Sequence, residues 1–185
     1  LACQVGYLEK HSDVGLLYAQ CLGFVEKDRD MGQPFPEIGM AKSGWIYDDL
    51  ILSDNYIPCL TVMIRRNILD QAGLFNETIR LRAVEDFDLW LRISRLAQVD
   101  FYPDVLARYR VHAQGISNAV VKLLENRLYL LNTHEMSGYV ERKTTKEIRF
   151  QIYLRLALAS VHVASSWRGL VKNLKLALFN CPSVP

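Results

Sequence analysis

Val84-Glu85-Asp86-Phe87-Asp88-Leu89-Trp90-Leu91-Arg92, followed downstream by Tyr109-Arg110-Val111-His112, is the most informative feature of the sequence. Phe87, Trp90, Leu91 and Ser94 recur at the spacing of one helix face, while Asp88, Arg92 and Arg95 fall on the other. The pattern predicts a helix from Glu85 with a core side and a wet side, opened by two adjacent carboxylates. Acidic residues suit a first turn because the free backbone donors and the helix dipole favour negative charge there. The same pair also suits removal of a proton from a hydroxyl beside a bound divalent cation. A histidine returning at the end of a strand, His112, would approach the same edge.

Residues 2 to 10 read as a helix, and the apolar run Val14 to Val25 reads as a core strand. Residues 28 to 44 carry Gly32, Pro34, Pro36, Gly39 and Gly44 and predict an irregular surface loop. Trp45 to Leu52 predicts a short helix, Pro58 to Ile64 a second strand ending at Arg65-Arg66, and Asn67 to Ala72 a short helix closed by Gly73. Val99 to Tyr102 and Val105 to Tyr109 predict two short strands separated by Pro103-Asp104. Beyond them the composition turns helical, with helices expected over Val120 to Leu131, Thr145 to Ser160 and Arg168 to Phe179.

The chain has 185 residues, half of them hydrophobic, enough for a domain-sized core. Its 22 basic and 20 acidic residues nearly cancel without a long block of one sign, so it lacks the basic footprint of a nucleic-acid binder. Cys3, Cys21, Cys59 and Cys181 are scattered without a CxxC pair, which argues against a zinc site and suggests a reducing compartment. Leu1 falls inside an amphipathic pattern rather than a signal sequence, and the chain reads as a fragment. Phe150 to Ala164 contains Arg155 and His162 and falls short of the roughly 20 apolar residues a membrane span needs, so it reads as a buried or interfacial helix.

The individual candidates each carry two readings. Asp86 is the first choice as a proton acceptor, with Glu85 beside it, against a purely structural first-turn role. His112 is either hydrogen-bonded structure or a metal ligand, and imidazole suits Mn²⁺ better than Mg²⁺. Arg110 would hold a phosphate or pair with an acidic neighbour, and Arg65 and Arg66, at a strand end, would hold phosphate oxygens or face water. Trp45 and Trp90 would stack on a sugar ring, although Trp90 sits on the apolar helix face and reads better as core.

The segments Asn55-Tyr56-Ile57-Pro58 through Val62-Met63-Ile64-Arg65-Arg66, Gly73-Leu74-Phe75-Asn76-Glu77, Glu85 to Arg92, and Tyr109 to His112 with Ser117 occur in one order. Together they resemble the second half of a family 2 glycosyltransferase of the GT-A fold. The resemblance covers roughly residues 3 to 118, and the helical remainder is similar to the variable helices that follow such domains. It implies an α/β fold: a partial GT-A, Rossmann-like domain over 1–118 lacking its N-terminal nucleotide-binding half, then an α-helical tail over 119–185. It further implies that Asp86 is the catalytic base with Glu85 in the site, and that His112 approaches the metal or the diphosphate. Sugar would pass from a nucleotide-sugar donor to a glycan or lipid-linked hydroxyl acceptor with inversion, assisted by a divalent cation, Mn²⁺ or Mg²⁺. Gly73-Leu74-Phe75 departs from the more usual Gly-Gly-Phe, and the family's metal-binding Asp-x-Asp is absent before residue 14; Asp28-Arg29-Asp30 and Asp48-Asp49 lie in the wrong place for it. The expectation is therefore an inactive fragment of a cytoplasmic enzyme.

The rival reading is a non-catalytic docking module. Arg168, Lys172 and Lys175 recur at spacings of four and three, with Leu170, Leu174, Ala177 and Leu178 on the other side. That pattern is compatible with peripheral docking at the inner face of an anionic membrane as well as with packing on the parent domain.

Overall fold

A computed structural model describes residues 1–25, 32–111, 120–162 and 166–182. It divides into two compact units, Leu1–Asn76 with Glu85–Gln114, and Glu77–Val84 with Gly115–Pro185.

The first unit is mixed α/β. Its elements are α1 (Ala2–Lys10), β1 (Val14–Phe24), α2 (Tyr47–Leu52), β2 (Met63–Ile64), α3 (Arg66–Ala72), α4 (Glu85–Ser94) and β3 (Gln98–Arg110). The strands form one sheet in the order β2-β1-β3. Central β1 is buried without interruption from Val14 to Cys21, as its continuous apolar run requires of a strand covered on both faces. It runs parallel to β3, from Val14 opposite Gln98 to Phe24 opposite Arg110, and antiparallel to β2. Gly15 permits the close approach on which this packing depends, because a Cβ there would lie 2.3 Å from the Ala97 Cβ.

Four expectations are corrected here. The two short strands around Pro103-Asp104 are one strand, β3, because the interruption is absorbed by register shifts on an edge strand. The strand expected over Pro58 to Ile64 is a 3₁₀ turn at Cys59–Thr61 followed by the two residues of β2. Thr61 is the reason. Its hydroxyl accepts from the Ala19 N–H at 3.2 Å and lies 2.8 Å from the Ala19 carbonyl, replacing ladder bonds with a side chain. Asp88, expected on the wet side of its helix, is only 4% exposed. Arg92 pairs with it at 2.8 Å and also donates to the carbonyls of Ala72 and Leu74, so the α3–α4 connection covers that side of the helix. The helix expected from Trp45 begins at Tyr47.

The described part of the long loop is anchored at both ends. Phe35 exchanges backbone hydrogen bonds with Cys21, and Gly44 does so with Val99. Between these points the Pro36 carbonyl accepts from Gln20, Lys42 exchanges bonds with the Tyr18 hydroxyl, and Ser43 donates to Asp100.

The second unit contains α5 (Val120–Met136), α6 (Arg142–His162) and α7 (Trp167–Phe179), with the first two longer than expected. Residues 77–84 belong with them: Asn126 donates to the Arg82 carbonyl at 2.6 Å and the Arg80 guanidinium lies over the Tyr129 ring. Arg149 of α6 pairs with Glu135 of α5 and donates to Asn132 at 2.6 Å. Burial beside Arg155 pulls Arg127 down to about 10. No helix among the described residues is long and apolar enough to cross a membrane.

Candidate active site around Asp86

Asp86 stands in the first turn of α4, where unpaired backbone N–H groups and the helix dipole favour negative charge. The Phe87 N–H donates to its Oδ1 at 2.7 Å, and the Asn55 Nδ2 donates to its Oδ2 at 3.2 Å. Asn55 is itself oriented, since its Oδ1 accepts from the Ile57 N–H at 3.1 Å in the turn before Pro58. Burial raises the Asp86 carboxyl above the usual carboxylate range and the neighbouring Glu85 raises it further, against the opposing pull of the Phe87 N–H and Asn55. A carboxylate with a raised pKa and restrained oxygens is a better proton acceptor than a free surface aspartate.

Glu85 completes the pair differently. Its Oε2 is buried and has no hydrogen-bond partner among the described residues, so an acceptor atom beside Asp86 is left for something else. Cys59 faces the same pair: burial pushes its thiol up, and the charges of Asp86 and Glu85 push it further. Neither Asn55 nor Cys59 stood out from the sequence as a neighbour of this pair; the signal that could have found Asn55 is an asparagine two residues before a backbone N–H at an X-Pro turn.

The other expected site residues are placed as follows. Trp45 is 65% exposed, as a sugar platform would be. It adjoins Gly44, which pairs with Val99, and Tyr47, whose ring lies under the Arg95 guanidinium. Arg65 donates to the carbonyls of Val14 at 2.7 Å, Leu8 at 2.5 Å and His11 at 3.0 Å, tying the end of α1 to the start of β1. Arg110 is exposed at the end of β3, with its guanidinium 5.5 Å from the Phe24 ring. Arg66 pairs with Asp70 on the surface, and Trp90 is core at 2% exposure. His112 and Ser117 lie outside the described residues.

Among the described residues, no group of three or more His, Cys, Asp or Glu is arranged to hold a metal ion.

No family model matches the chain. It is 29% identical over 119 residues, 64% of its length, to an uncharacterized glycosyltransferase of Rickettsia prowazekii. It is 29% identical over the same length to an uncharacterized glycosyltransferase of Rickettsia typhi. The chain spans 35% of the length of each of these curated relatives.

Proposed function

We propose that this chain supplies the acceptor-activating side of an inverting glycosyltransferase of the GT-A type, with Asp86 as the base. The acceptor hydroxyl oxygen attacks the anomeric carbon of a nucleotide-sugar, and the bond from that carbon to the diphosphate oxygen breaks with its electrons going to the nucleoside diphosphate. Asp86 takes the hydroxyl proton. The unpartnered oxygen of Glu85 accepts from a second hydroxyl of the acceptor and orients it. Arg110, exposed at the strand end, is the basic side chain proposed for the diphosphate. A divalent cation on that diphosphate, with His112 as its protein ligand, belongs to the same proposal; chelation with EDTA tests it. The acceptor is a glycan or lipid-linked sugar.

The observation that carries this reading is a restrained carboxylate of raised pKa beside an unpartnered second carboxylate oxygen, at a helix N-terminus. The test is nucleoside diphosphate release from a panel of UDP-, GDP- and dTDP-sugars, with and without hydroxyl acceptors, by the protein that carries this chain. Acceptor-dependent release from one donor class is expected. Silence across the panel, with the protein folded, would sink the proposal.

A further inference from the structure

Helix α7 presents three different sides. Gly169, Leu170, Asn173, Leu176, Ala177 and the following Asn180 are withdrawn from solvent. This side seats closely on α6: a Cβ on Gly169 would fall 2.9 Å from the Ser160 hydroxyl, and Asn173 donates to that hydroxyl at 3.2 Å. Leu170 and Ala177, expected with Leu174 and Leu178 on a single apolar side, therefore belong to the packed side.

What remains exposed is a second apolar stripe. Trp167, Val171, Leu174 and Leu178 recur at spacings of four, three and four, which places them on one face at 100° per residue. Trp167 is 75% exposed and Leu178 is 73% exposed, with Phe179 beyond at 81%. Arg168, Lys172 and Lys175 form the third side, directly flanking the stripe and exposed along its length. The helix contains no Asp or Glu.

We propose that this face of α7 docks on an anionic lipid surface. The chemistry is that of an interfacial helix: an apolar stripe opened by Trp167 lies in the acyl boundary, while basic side chains on long aliphatic stems reach headgroup phosphates. The charge pattern selects this occupant over a second copy of the chain, because two such faces would bring like charges together with no acidic residue on either helix to offset them. Docking of this kind is independent of whether Asp86 acts as a base.

The test is flotation of the purified chain with phosphatidylcholine vesicles, with and without phosphatidylglycerol. Binding to the phosphatidylglycerol vesicles alone is expected, falling as salt rises. Lys172→Gln with Lys175→Gln should weaken it about 25-fold, at roughly fivefold for each charge near an anionic surface. Both lysines are exposed, so unchanged thermal melting of the double variant separates lost docking from lost folding. Trp167→Ser should weaken binding as well. No flotation, equal binding to both vesicle types, or indifference to the lysine changes would overturn the proposal. Self-association abolished by Trp167→Ser, without vesicle binding, would overturn it in favour of a second copy.

Discussion

The Asn55 Nδ2 donates to the Asp86 Oδ2 across 3.2 Å, while the other end of the same carboxamide is held by the Ile57 N–H. This bond stabilises the ionised carboxylate and opposes the burial that raises its pKa. Asn55→Ala should therefore move the acid limb of the transfer pH profile to higher pH and lower the rate about tenfold, less than the roughly 10²- to 10⁴-fold of general base catalysis as a whole, because the base itself is kept. An acid limb that stays in place would show that Asp86 does not titrate in the reaction.

Asp86 should also leave a signature in stability. Its folded pKa is raised above the unfolded value of about 3.9, so its favourable contribution is present below that value and is lost as pH rises through the folded pKa. Asp86→Asn removes this dependence. Chemical denaturation across pH should show the variant gaining on the parent protein as pH rises from about 4, then running parallel once the folded pKa is passed. A difference independent of pH would contradict the raised pKa.

Arg92 links the buried Asp88 to the carbonyls that end α3. Arg92→Ala takes the ion-pair partner from a carboxylate 4% exposed and should cost about 2 to 3 kcal/mol, below the fully buried limit because Arg92 keeps some contact with water. Arg92→Lys restores charge but not the fork that reaches both partners, and should recover only part of the loss. Denaturant midpoints for the two variants check this, and a loss under about 0.5 kcal/mol for Arg92→Ala would place the pair among inert surface bridges.

These residues show where the sequence was legible. The unbroken apolar run from Val14 could only be a strand covered on both faces, and the period-3.6 pattern from Glu85 could only be a helix, so β1 and α4 were readable from local chemistry. Asp88 was not. Its side of α4 is covered by a segment whose approach is set by Arg92 and by Gly73, at φ +80°, a tertiary arrangement that helical spacing does not encode. The same limit applies to Thr61, whose hydroxyl takes over ladder bonds in a stretch that reads as a continuous strand. At the candidate site the carboxylate pair was evident, but its hold by Asn55 depends on where the turn before Pro58 delivers the chain. On α7, spacing separated basic from apolar residues, yet only packing against α6 divides the apolar ones into a covered and an open side.

Whether Asp86 is the base is decided by single-turnover sugar transfer with Asp86→Asn in the protein that carries this chain, with donor binding measured in parallel. Loss of a general base predicts a chemical step slowed about 10²- to 10⁴-fold with donor affinity retained. Transfer within about twofold of the parent rate, by a variant shown to be folded, would contradict Asp86 as the base.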